Sequence, residues 1–369
     1  MQKKTLSEIM TNDPLKALSR YRGALMGFSA LLVLFFHCWI PLVPNHRYLG
    51  AMEAALKNSG WIGASCFFFL SGLGLAYSDL RHGIRPFYLR RMKRLFIPYL
   101  LIAILRAVSE KWTVTAFLSA LSGLSFFTRS IYTLLWFVPA VAVLYLLYPP
   151  YDRLLHSGKA PVPVLTAAAI LVWLVLSVLL KDVMRPDLWG FTNRIPLFLL
   201  GVCCGKTAQR KETRLTAGLL LFMAVLTIAG YRLLRLTQKG MFLLVPDSSS
   251  ALPAGMLSVG LLFFMSQFLS LIQPGTAGRL LVSVLSFFGK VSLELYCIQE
   301  WLWARLYTFL EGRVSFTVIN LVSFVVLPAA AYLLSLLERI VLHRLYPVTP
   351  RRPSSGKPRP PEENGSCPG

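Results

Sequence analysis

The stretch Val162–Leu180, "VPVLTAAAILVWLVLSVLL", carries no charged residue. At about 1.5 Å per residue it makes a helix of roughly 28 Å, close to the thickness of a bilayer's hydrocarbon core. A helix on a soluble core would keep a polar stripe on its outer face, and this one has none. Similar blocks recur at roughly 24–43, 61–79, 94–110, 131–149, 191–206, 215–234, 253–272, 282–308 and 317–340. The blocks are continuous, so the short alternating strands of a membrane β-barrel are excluded. The expected fold is all-α: a polytopic membrane bundle of about ten transmembrane helices.

Composition agrees. Hydrophobic residues make up 55% of the 369 and charged ones only 15%, with a mean hydropathy of +0.60. The formal net charge of +22 would suggest a nucleic-acid partner in a soluble protein. Here the basic residues lie between apolar blocks, so they read as topology signals and no nucleic acid is expected. With ten spans and both termini in the cytoplasm, 24 of the 38 Lys and Arg fall in cytoplasmic segments and 12 in outer ones. That excess fits the positive-inside rule. Thr113–Phe127 is too short to cross and is expected to be re-entrant or interfacial; as a span it would move the basic 206–214 loop outside. No cleavable signal peptide is expected, because the first apolar block follows about 22 polar residues and is too long for a signal core. The expected organisation is a cytoplasmic segment 1–22, a membrane domain 23–343 and a disordered Pro-rich tail 344–369. The six cysteines show neither zinc-finger nor disulfide-framework spacing.

Several residues carry chemistry. His37 interrupts the apolar run "SALLVLFFHCWIPLV" (Ser29–Val43), about 13 residues into the first span, and intramembrane ionisable groups are functional by default. The competing reading is a neutral histidine bonded to a neighbouring helix. The other histidines (His46, His82, His156, His343) lie in loops or at span ends on both sides, so no metal site is expected. In "RPFYLRRMKRLFIPYL" (Arg85–Leu100), Arg91 and Arg94 share a helix face and can hold phosphates bidentately. Plain anchoring of the helix accounts for any one of these charges, less well for five in ten residues. Ser71, in "FFFLSGLGLAYS" (Phe67–Ser78), sits among small residues suited to close packing and lacks a nucleophile elbow. "GVCCGKT" (Gly201–Thr207) has three residues between its glycines where a P-loop needs four, so Gly201 and Gly205 read as a helix contact. In "FFGKVSLELYCIQEWLW" (Phe287–Trp303), Lys290 and Glu294 are spaced to pair on one helix, and Gln299 or Glu300 reaches towards the level of His37.

Together these segments resemble the acyltransferase-3 family of bacterial integral-membrane O-acyltransferases. Six blocks match in order: "MGFSALLVLFFH", "GASCFFFLSGLGLAYS", "RRMKRLFIPYL", "LWFVPAVAVLYLLYPP", "RIPLFLLGVCCGK" and "FGKVSLELYCIQ". The resemblance implies that His37 is the catalytic residue, as general base or as a transient carrier of the acyl group, and that Arg91 and Arg94 handle the donor; Ser71, Glu294, Gln299 and Glu300 are the candidates for supporting the site. It implies acetyl-CoA or another acyl-CoA as co-substrate with no tightly bound cofactor, a cell-surface or lipid-linked glycan as acceptor, and a bacterial plasma-membrane location. Two positions depart from the pattern. Met26 stands where many members have Arg or Lys, which would hand that role to Arg20 or Arg22. Gln299 stands where many have His. Some members carry an extracytoplasmic esterase-like domain after the membrane part; none is expected here, and the membrane domain alone is expected to modify the acceptor. The competing classes are a transporter or flippase of an envelope precursor, for which no repeat of the His37 block is seen, and a non-catalytic member of the same fold.

Overall fold

The computed structural model describes residues 13–345, save 39–40, 42, 44, 79, 81–82, 129–134, 159, 186–187, 211–212 and 240–247. Segment 1–12, most of the expected tail (346–369) and His82 therefore lie outside the described residues. Every regular element among those described is a helix. In chain order they are α1 (Pro14–Arg20), α2 (Arg22–His37), α3 (Arg47–Ser59), α4 (Ile62–Ala76), α5 (Ile84–Ser109), α6 (Val114–Leu121), α7 (Leu124–Thr128), α8 (Phe137–Leu155), α9 (Val162–Leu179), α10 (Trp189–Thr192), α11 (Ile195–Arg210), α12 (Ala217–Thr237), α13 (Ser248–Ile272), α14 (Thr276–Lys290), α15 (Ser292–Leu310) and α16 (Phe316–Leu345).

Four helices are long and apolar enough to cross a membrane: α9, α12, the Leu252–Ile272 part of α13, and α16 up to Arg344. The number rises to seven if three bent pairs each count as one span: α1 with α2 (69°), α3 with α4 (51°) and α14 with α15 (69°). Helices α9 and α12 leave most of their apolar side chains uncovered, including Leu171, Val172, Leu221 and Phe222. Such all-round apolar surface suits lipid, not water. Helices α5, α8 and α11 are more polar at one end, where Arg90, Arg91, Lys93, Arg94, Asp152, Arg153, Lys206 and Arg210 lie.

Three expected elements differ. The apolar run to Val43 is not one helix: α2 stops at His37, and Pro41 and Pro44, which have no N–H to donate, follow within seven residues. The 282–308 block is two helices broken at Val291, so Lys290 and Glu294 do not share a helix. Residues 47–59, expected as part of a loop, form α3, which buries no residue. Thr113–Phe127 forms α6 and α7, of eight and five residues, which meet at Gly123 with φ +69°. Neither is long enough to cross.

Two close helix contacts set the centre. A Cβ at Gly201 would overlap the Phe69 carbonyl, and one at Gly72 would overlap the Phe198 carbonyl, so α4 and α11 touch backbone to backbone. Gly27 and Gly289 play the same part between α2 and α14. Without glycine the helices would sit farther apart, and the dispersion and hydrogen bonding that hold apolar helices together would fall. At the α1 end, Asp13 caps the helix by accepting from the Leu15 and Lys16 N–H groups. It also accepts from the Thr213 N–H (3.1 Å) and hydroxyl, pinning α1 to the α11–α12 connection. Partial burial works to raise the Asp13 carboxyl, but the hydrogen bonds from Thr213, Lys16 and Leu15 outweigh it and hold the group below 3.8. The stability this pin contributes is therefore full above the unfolded value of 3.8 and lost as pH falls through the lower folded one.

Gly201→Leu is expected to abolish the monodisperse folded peak in detergent, because the added side chain meets backbone and overpacking costs about 1–3 kcal/mol or more. Gly218→Leu, at an open position, should leave the peak unchanged. Asp13→Ala should lower stability by about 1–2 kcal/mol in thermal unfolding near neutral pH, with the difference from the parent shrinking towards pH 3.

Candidate active site

Arg22 enters the bundle at the first turn of α2. Its Nε donates to the Leu70 carbonyl at 2.9 Å. Gly74, one turn further along α4, leaves the space its guanidinium fills: a Cβ there would lie within about 2.4 Å of Arg22 Cζ. Met26, one turn on from Arg22, lines the same cavity of about 630 Å³. Arg91, Arg94, Ser71, Tyr145 and Tyr296 complete its polar wall. Three guanidiniums and no carboxylate border it, so the cavity is suited to an anionic or strongly polar ligand. Arg91 is steadied by donating to the Ser78 hydroxyl at 2.6 Å, and its guanidinium lies 5.9 Å from the Phe87 ring centre. Tyr296 receives the Phe137 N–H at 3.2 Å, which fixes its hydroxyl near the start of α8.

His37 is not in the wall of this cavity. Eleven residues separate it from Met26 on α2, about 16 Å of helix. Its Nε2 lies 3.6 Å from Glu300 Oε1. Glu300 is one turn beyond Tyr296 on α15, about 6 Å of helix. Glu300 also lines a second cavity of about 650 Å³ with Arg106, Glu110, Trp301 and Arg305. The His37 side chain is 27% exposed and that of Glu300 62%. Glu300 thus belongs to the wall of the polar cavity, and His37, against it, lines neither.

The matching segment of a family model, that of an acyltransferase domain (acyltransferase-3), runs over residues 24–337. The chain belongs to this family. No curated protein and no solved structure matches it. The fold and the family together make it a membrane acyltransferase.

The acyltransferase gathers some of the expected residues and separates others. Arg91, Arg94 and Ser71 share the central cavity. Of the two arginines near Met26, Arg22 reaches that cavity and Arg20 does not line it; the Arg20 guanidinium lies 5.6 Å from the Tyr21 ring centre. Glu300, not Gln299, faces His37. Gln299 is 1% exposed and its amide nitrogen finds no protein acceptor among the described residues. Glu294 lies away from His37, hydrogen-bonded to Glu338 in a third cavity that also contains Arg94 and Lys290. Tyr145 and Tyr296 escaped the sequence reading, since a tyrosine in an aromatic-rich apolar helix carries no signal of its own. Arg194 is buried deeper than its place at the head of α11 suggested: Nε donates to Ser65 Oγ at 3.2 Å, and the guanidinium lies 5.5 Å from the Trp136 ring centre.

Arg22→Leu is expected to lower acyl transfer tenfold or more, the loss that follows removal of about 1.5–3 kcal/mol of charged hydrogen bonding. Gly74→Val should act in the same direction by displacing the guanidinium, while Arg20→Leu should stay within about twofold of the parent. The readout is steady-state transfer in washed membranes.

Proposed function

We propose that the acyltransferase moves an acyl group, normally acetyl, from cytoplasmic acyl-CoA to a hydroxyl of a cell-surface or lipid-linked glycan, in the bacterial plasma membrane. The observation that carries this reading is the His37–Glu300 pair, 3.6 Å apart, whose carboxylate lines the polar cavity and follows Tyr296 of the arginine-lined cavity by one turn of α15. In this reading each bent pair is a single span. With α5, α8 and α11 added there are ten, both termini are cytoplasmic, and the arginine end faces the cytoplasm.

The donor thioester enters through the Arg22, Arg91 and Arg94 cavity, its pantetheine arm between helices and its acyl end directed past Tyr296. The acceptor comes from the Glu300 side, where Trp301, Arg106 and Arg305 offer a stacking face and hydrogen-bond donors for a sugar. His37 takes the proton of the acceptor hydroxyl as its oxygen attacks the thioester carbon. The tetrahedral intermediate collapses, the carbon–sulfur bond breaks, and the CoA thiolate leaves, to be protonated at the expense of imidazolium. Glu300 orients the ring and stabilises its cationic form during transfer. A base in reach of the hydroxyl is worth about 10²–10⁴ in rate. Membership of an acyltransferase family leaves the transporter reading without support.

His37→Ala is expected to lower transfer of labelled acetyl from acetyl-CoA in membranes by about 10²–10⁴. Glu300→Gln should lower it less, and Arg91→Ala should act mainly by raising KM for the donor. Full activity in both His37→Ala and Arg91→Ala would rule the mechanism out.

A further inference from the structure

The central cavity has two larger neighbours at its arginine end, and their charges differ. One, of about 1150 Å³, lies beyond Ser78 and contains Arg153, His156 and Lys206. Its charge is largely spent internally. Lys206 Nζ is 2.8 Å from Asp152 Oδ1, which also receives the Tyr148 hydroxyl at 3.0 Å, and His156 Nδ1 lies 3.4 Å from the other carboxylate oxygen. Among the described residues, Arg153 is the one guanidinium in its lining.

The other neighbour, of about 800 Å³, lies among α5, α14, α15 and α16. Arg90, Lys93, Arg94, Lys290 and Arg339 line it. Its two carboxylates, Glu294 and Glu338, hydrogen-bond each other. Cations thus outnumber carboxylates in its lining by five to two. It is joined to the central cavity by Arg94, which lines both, and by α15, whose Leu293 lines one and Glu294 the other. The break at Val291 makes this junction, since it turns α15 by 69° away from α14 and leaves Lys290 at the corner.

We infer that this flanking cavity holds the 3′-phosphorylated nucleotide end of the donor, with Lys290 and Arg339 contacting its phosphates and Arg94 at the turn into the pantetheine channel. The inference rests on the acyl-CoA reading above and extends it to residues outside the Arg91/Arg94 pair. A 3′-phosphoadenosine with its 5′-diphosphate carries about four negative charges near neutral pH. A pocket whose cations outnumber its carboxylates five to two suits that charge better than one in which Asp152 already holds Lys206. Lys290 and Arg339 are exposed, so they can be changed without opening a hole in the bundle.

The test is calorimetric binding to the purified full-length protein in detergent, with CoA and S-acetyl-pantetheine as probes. The Lys290→Ala/Arg339→Ala double variant is expected to bind CoA tenfold or more weakly and S-acetyl-pantetheine within about twofold of the parent. Unchanged binding of the short donor reports that the variant is folded. Lys290→Arg should keep CoA binding, and Arg153→Ala, in the other neighbour, should leave it unchanged. If the parent binds CoA and the double variant binds it equally well, the nucleotide site is overturned while the acyl-CoA reading stands. If the double variant keeps CoA but loses co-purifying phosphatidylglycerol in native mass spectrometry, the cavity is a lipid-headgroup site and the inference falls. If the parent binds neither CoA nor S-acetyl-pantetheine, the acyl-CoA reading fails and takes this site with it.

Discussion

A guanidinium inside an apolar bundle must be given hydrogen bonds and room, and the Arg22–Leu70 contact supplies the first while Gly74 supplies the second. An unpaired cation in hydrocarbon costs several kcal/mol, so Arg22 can be held there only where a carbonyl and a polar cavity meet it. Its position fixes what lies around it. It draws α2 against α4, puts Met26 on the cavity wall one turn further in, and makes Arg22 the third member of a cluster with Arg91 and Arg94. The glycine contacts of α4 with α11 and of α2 with α14 then determine how closely the surrounding helices approach. Ligand space at the arginine end is therefore a consequence of packing: small residues bring backbones together, and long cations keep part of the interior open.

The same arrangement gives the molecule a direction. Cations border the central cavity and outnumber carboxylates in its flanking neighbour, whereas the cavity beside Glu300 balances two arginines against two carboxylates beside a tryptophan. His37 lies between the two ends as the last residue of its helix, where a histidine is favoured by the helix dipole and where the backbone is released from the regular ladder. A group in that place can meet a ligand from either end. This suits a reaction whose donor and acceptor are kept apart by a bilayer.

Much of this was legible in the sequence because the bilayer writes in blocks. Val162–Leu180 and residues 316–337 declare themselves by length and absence of charge, and the Gly201–Gly205 spacing announced a close helix contact that α11 makes. His37, Arg91 and Arg94 stood out because charge in an apolar run is costly. What hydropathy does not encode is where a helix bends. The break at Val291 lies inside a continuous apolar block, so Lys290 and Glu294 looked like a helical pair when they are neighbours across a corner. The choice of Glu300 over Gln299 depends on a rotation of about 100° around α15, which periodicity fixes only once a neighbouring helix is known. Tyr145 and Tyr296 were silent for a related reason: their hydroxyls matter only through what they face.

In the proposed mechanism the donor reacts from one side of the membrane with an acceptor on the other, through His37. The most direct measurement is sidedness in proteoliposomes of purified, uniformly oriented protein, with labelled acetyl-CoA supplied only at the arginine face and a glycan acceptor only at the Glu300 face. The account predicts labelled ester on the acceptor under these conditions, and none when donor and acceptor exchange sides or when His37 is alanine. Ester formation only when both substrates share one face, or equal yields with His37→Ala, would contradict it.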